Sequence, residues 1–189
     1  MIASLSFHEA AHAWTANRLG DPTARELGRL TLNPIAHIDP IGTILFPLVA
    51  YYSGLPLIGW AKPVPVNLNN LKAPRRDFAI VAVAGPVSNL LIATACAALL
   101  WVLTGGGDGG PILLLRAIIL NVFLAVFNLI PVPPLDGGNV LAGIVPEAGA
   151  RLIDALRPWG FLLLYVMMFM GVLDKFVRPI AGAILNFLL

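Results

Sequence analysis

The residues best equipped for chemistry stand near the start of the chain: His8-Glu9-Ala10-Ala11-His12, inside the apolar run from Ile2 to Trp14. On a helix the two histidines lie one above the other on one face, about 6 Å apart. Both imidazoles can then reach a single metal ion, and Glu9 beside them can take a proton from a water on that metal. This is the H-E-x-x-H arrangement of zinc hydrolases. The competing reading is a chance pair of helix histidines satisfied by hydrogen bonds. The flanks weigh against it, because ionisable side chains inside an apolar stretch are costly and are kept for function.

Catalytic zinc takes three protein ligands and keeps one position for water. Spacing alone leaves the third ligand open. Position 18, where a metzincin would place its next histidine, is Arg18. Glu26, His37 and Asp39 are candidates in a polar stretch. Asp136 is the better one, set between proline-broken apolar sequence and Gly137-Gly138, where a backbone can turn a carboxylate inward. A turn or capping aspartate is the alternative there. Asn89 follows Gly85-Pro86 in a long apolar run. Its amide could bind an extended peptide or steady an oxyanion, and could equally make an interhelical hydrogen bond. Asn128 reads the same way, with structure favoured, and His37 reads as a loop histidine rather than a ligand.

These residues need elements to position them. The chain has 189 residues, 58% hydrophobic and 12% charged, with a mean hydropathy of +0.85. A soluble domain carries about twice that charge. The reading is a single all-α, polytopic integral-membrane domain over 1–189. The net charge of +2 is too slight to argue for nucleic acid. One cysteine, Cys96, excludes an internal disulfide and a Cys-based zinc site. No basic leader with a small-residue cleavage pattern precedes the motif, so no cleavable signal peptide is expected.

The first helix is expected from Met1 to about Leu19, ending at Gly20-Asp21-Pro22. His8 is then only about 10 Å from its start, which suggests a truncated first helix or a missing earlier one. Asp21 to Asp39 reads as a polar loop, with a short strand over 28–32. Ile41 to Tyr52 is apolar but only about a dozen residues, where a span needs about 20. It is expected to be a re-entrant or β-like membrane-embedded segment near 41–59. Phe78–Leu103 and Pro111–Ile130 are expected to cross the membrane in opposite directions, joined by a glycine turn over 104–110. Prolines break the helix over 131–138. An amphipathic stretch follows over 139–158, then two apolar pieces over 159–173 and 179–189. About four to six membrane helices result. The basic residues cluster in the loops 20–40, 54–77 and 131–158, which places those loops in the cytoplasm and the 104–110 turn opposite. Trp14, Trp60 and Trp159 read as interface anchors.

Taken together, His8-Glu-Ala-Ala-His12, Ala84-Gly-Pro-Val-Ser-Asn89 and Pro134-Leu-Asp-Gly-Gly138 resemble the site-2 protease family of intramembrane zinc metalloproteases. Asn33-Pro-Ile-Ala-His-Ile-Asp-Pro40 and Gly59-Trp-Ala-Lys-Pro-Val-Pro-Val-Asn67 resemble its small prokaryotic members, without a PDZ domain. The resemblance implies one zinc ion on His8, His12 and Asp136, with Glu9 as catalytic base and Asn89 near the substrate path. It implies transmembrane protein substrates, regulated proteolysis within the lipid bilayer, and a multi-pass place in a bacterial or archaeal cell membrane. It also implies an extended segment after the motif helix, fitted to Ile41–Tyr52. Two other readings stand beside it. One is a catalytically silent scaffold of the same fold. The other is a membrane zinc transporter, for which the two long apolar segments offer only Arg116.

Overall fold

Helix α1 covers Ile2–Leu19, where small and apolar residues leave one face free to pack. It stops at Gly20, whose φ of 112° is open to glycine and strained for other residues. The computed structural model describes residues 1–54, 59–107 and 109–189. Eight further α-helices follow in chain order: α2 (Thr23–Glu26), α3 (Phe46–Ser53), α4 (Pro74–Thr104), α5 (Ile112–Asn128), α6 (Asp136–Ile144), α7 (Glu147–Leu156), α8 (Gly160–Phe169) and α9 (Val172–Leu188). Short 3-10 turns cover Pro34–His37, Leu68–Asn70 and Arg157–Trp159, and a π-helical turn over Pro40–Leu45 leads into α3. No strand occurs among the described residues.

The frame is built on α4. At 31 residues it is about 46 Å long, more than the roughly 30 Å of a bilayer's hydrocarbon core. Helices α1, α5 and α6 all pack against it. On one side Ala13 and Ala16 of α1 are fully buried. On the other, Ala93 and Ala97 of α4 meet Ile118, Val122 and Val126 of α5, and Leu164 of α8 with Val177 and Ala181 of α9 complete the cluster. Two helical stretches are long and apolar enough to cross a membrane, Pro74–Thr104 and Glu147–Phe169. The outer faces stay apolar: Leu91, Trp101, Leu113, Phe123 and Leu162 are all exposed. A water-soluble protein rarely shows so wide an apolar surface, and a lipid-facing one does.

Several elements differ from expectation. The strand over 28–32 is absent. Its backbone is taken by loop contacts instead: Arg29 N–H donates to the Ala24 carbonyl at 2.7 Å, and the Thr31 carbonyl accepts from His37 Nε2 at 2.8 Å. The β-like form is also absent over the described residues 41–54 and 59. Asp39 accepts from the N–H groups of Ile41 and Gly42 and Pro40 opens the turn, so the chain enters a helix over 40–53. Residues 55–58 lie outside the described residues. Helix α4 begins at Pro74 rather than Phe78, and α9 runs unbroken through Asp174, Lys175 and Pro179. Trp14 and Trp159 are exposed, as anchors should be, whereas Trp60 turns inward against Phe46 and Phe161.

Candidate metal centre

His8 and His12 project from one face of α1, with ring centroids 4.7 Å apart and planes at 86°. Both are buried. Their Nδ1 atoms point into the scaffold. That of His12 lies 2.7 Å from the Val81 carbonyl, and that of His8 lies 2.6 Å from Asn89 Oδ1. A backbone carbonyl can only accept, so His12 Nδ1 carries the proton. The Asn89 amide donates from Nδ2 to Asn121 Oδ1 at 2.8 Å, which leaves its Oδ1 as acceptor for His8. In each neutral ring Nε2 is therefore a bare lone pair.

Those two Nε2 atoms converge on one carboxylate oxygen. Asp136 Oδ2 is 3.1 Å from His8 Nε2 and 3.4 Å from His12 Nε2. It is buried and has no hydrogen-bond donor. One nitrogen from each histidine and one Asp136 oxygen all lie within 4.8 Å of one another. Three electron-pair donors meeting at a buried point, with no proton assigned between them, fit a cation. Two imidazoles and a carboxylate are a donor set suited to zinc, with room for a fourth position.

Asp136 reaches this point because α6 starts on it. The Leu129 and Ile130 carbonyls lie so close over Gly137 that any side chain there would collide with them. Gly138 is similarly tight against Val132 and Pro133. The paired glycines thus let the helix start tuck beneath the preceding loop. Gly85 does the same for α4, since a methyl on it would strike both imidazoles.

Glu9 is next to His8 and buried, on the wall of a cavity of about 490 Å³ that also holds His8, His12 and Asp136. The cavity is also lined by the non-helical stretch from Gly59 to Val66 and by Phe78, Phe127 and Phe161. The arrangement offers a carboxylate, a cation site and an enclosed groove, which together suit hydrolysis of a carbonyl compound.

The other sequence candidates fall elsewhere. Glu26, His37 and Asp39 are outside the three-residue cluster, and Asp39 caps the turn after it. Asn128 lines the cavity and its amide donates to the Leu124 carbonyl at 3.0 Å. Asn89 is fully buried, and its amide is engaged by His8, Asn121 and the Ser4 carbonyl. Sequence reasoning passed over Asn121. The signal was available, since it is a polar amide midway along an apolar helix, as Asn89 is. It also passed over Asp21, a fully buried carboxylate that accepts from Thr23, Asn67 and Asn70.

Comparison with known proteins gives the family. The family model described as Peptidase family M50 matches residues 109–173, which include Asp136. The chain is 39% identical over 193 aligned positions to a Bacillus subtilis protein named "Putative zinc metalloprotease YwhC", covering 98% of this chain and 81% of the relative. It is 31% identical to "Putative zinc metalloprotease Rip2" of Mycolicibacterium smegmatis, over 92% of this chain and 66% of that protein. Rip2 of Mycobacterium tuberculosis is 30% identical over 88% of this chain and 63% of its own length. No solved structure gives a significant match. With so much of its length aligned to these relatives, and its metal-site loop inside the family's own matched region, the chain belongs to peptidase family M50.

Proposed function

We propose that this protein hydrolyses peptide bonds in or beside the transmembrane segments of other membrane proteins. Zinc would be held by His8, His12 and Asp136, one ion per chain, with Glu9 as the catalytic base. The observation that carries the reading is the convergence of two bare Nε2 atoms and the donorless Asp136 Oδ2 beside Glu9. Zinc, when bound, supplies Lewis acidity that polarises a carbonyl and acidifies a water. Every other part belongs to the chain. The Glu9 carboxylate takes the proton from the attacking water and passes it to the leaving amine. Asn89 and the Val81 carbonyl hold the two rings in the tautomer that points lone pairs inward. That task replaces contact with substrate as the role we assign to Asn89.

A transmembrane helix must open before its carbonyls can be attacked. The extended stretch along the cavity, rather than Ile41–Tyr52, is the natural edge for the opened segment to pair with. The backbone groups of Trp60 and Lys62 are spent on the scaffold, and an extended chain between them would turn the Ala61 N–H and carbonyl the other way.

The apolar helices support a multi-pass membrane location, and the bacterial relatives support the cell membrane of a bacterium or archaeon. In this reading α4 and the α7–α8 stretch would span, α5 would return beside α4, and the 40–53 helix is too short to cross. The donor set favours a metal-loaded enzyme over a silent scaffold. The expected partners are transmembrane substrates and lipid, with no nucleic acid.

The test is Glu9→Gln against wild type on a membrane-spanning peptide in detergent, with metal content recorded. The expected result is zinc retained and cleavage lowered by about 10²- to 10⁴-fold. Full activity in the variant would remove the mechanism.

A further inference from the structure

Arg29 is only 6% exposed, yet it has no carboxylate partner among the described residues. Buried arginines are almost always ion-paired. This one donates from Nη2 to the Lys62 carbonyl at 2.5 Å, and its Nε has no partner. On the other flank, the Lys62 N–H donates to the carbonyl of His37 at 2.9 Å, and His37 is itself 3% exposed. Lys62 is thus gripped at both backbone groups. Two residues earlier the pattern repeats. The Trp60 N–H donates to the Gly42 carbonyl at 3.1 Å, and the Trp60 carbonyl accepts from Thr43 Oγ1 at 2.8 Å. At the far end, Asn67 N–H donates to Asp21 Oδ2 at 2.7 Å.

The grip has a direction. Residues 60 and 62 spend their backbone groups on the scaffold, and the stretch lines the metal cavity with Trp60, Ala61, Pro63, Val64 and Val66. A substrate strand pairing with that edge stays paired if it slips by two residues. Such a slip moves the chain by about 7 Å and puts a different carbonyl at the metal centre. Holding the edge still along its own axis is therefore a separate task from forming it. A guanidinium on a carbonyl makes a bond roughly twice as strong as a neutral one.

We propose that Arg29 is a positioning residue that fixes the extended stretch 60–66 along its axis and thereby sets which peptide bond of the substrate is cut. This rests on the protease reading above. The experiment uses the full chain in detergent with zinc and a membrane-spanning test peptide, with products mapped by mass spectrometry. Arg29→Met and Thr43→Val are compared with wild type, and Arg29→Lys serves as the conservative rescue.

Both weakened variants are expected to keep cutting, with new products displaced by about two residues. KM is expected to rise about three- to tenfold with kcat little changed. Arg29→Lys is expected to restore the wild-type product. Variants that cut more slowly but only at the wild-type bond would overturn the proposal and leave the protease reading standing. A wild-type protein that binds zinc and cuts nothing would overturn both. If Arg29→Met fails to fold, Arg29→Gln decides by the same product map, and Thr43→Val reports on the hold at Trp60.

Discussion

An imidazole has two nitrogens, and each histidine of the α1 pair commits one to the scaffold and one to the metal centre. The scaffold half is open to test. Asn89→Leu removes the acceptor behind His8 while leaving every ligand in place. It is expected to weaken zinc binding by about 10- to 100-fold, read by competition with a chromophoric chelator. Gly85→Ala puts a methyl into both rings and is expected to lower zinc per chain with helix content intact by circular dichroism. The facing of the two histidines was legible in the sequence because helical spacing fixes it. The third ligand was favoured by its glycines, and the fold shows what they do. Asn89's task was not legible, because nothing in a sequence says which ring stands behind an amide. Asp21 belongs at this scale too. Burial alone would raise its carboxyl, but hydrogen bonds from the Thr23 side chain, Asn70, and the backbone of Asn67 and Thr23 hold it below its ordinary 3.8. A lowered value means the stabilisation is present above the ordinary pKa and fades as pH falls through the folded one. Asp21→Ala is expected to cost roughly 2–3 kcal/mol at neutral pH. That difference should shrink below about pH 4 in thermal unfolding of the two proteins.

Helix α6 is set at both ends. Its start tucks beneath the 129–133 loop, and its last turn is capped by Arg75 of α4, which donates to the carbonyls of Ala142 and Val145 at 2.6 and 2.8 Å. Gly143 lies flush on Ala79 between these points. Gly143→Leu is therefore expected to lift α6 off α4 and carry Asp136 out of reach. Zinc content and cleavage should fall together in the purified variant, while Arg75→Ala alone should cost about 1 kcal/mol. The long apolar helices were legible from hydropathy, since their length and composition leave few alternatives. The 40–53 segment was not. Its apolar residues fit a short embedded strand as well as a helix, and the choice was made by local capping at Asp39 and Pro40.

At the scale of the molecule, Gly85 marks where along α4 the candidate metal centre sits. It lies eleven residues into α4, about 17 Å along its axis. Phe78, Val81 and Ala82, on the same half of α4, line the cavity that holds the centre. The two ends of α4 should then open on opposite faces. In a Cys96→Ala background, Arg76→Cys and Gly106→Cys are expected to react with a membrane-impermeant maleimide from opposite sides of inverted vesicles. Labelling from the same side would remove the spanning role of α4. One arrangement has a consequence for the protein's own synthesis. Two of the metal donors come from the first helix and the third from the sixth, with the helix that orients the histidines made in between. While the chain is still on the ribosome, the first helix carries a histidine pair with neither its supports nor its carboxylate. A protease made in this order stays harmless to its neighbours, and to its own unfinished chain, until α6 has been translated and inserted.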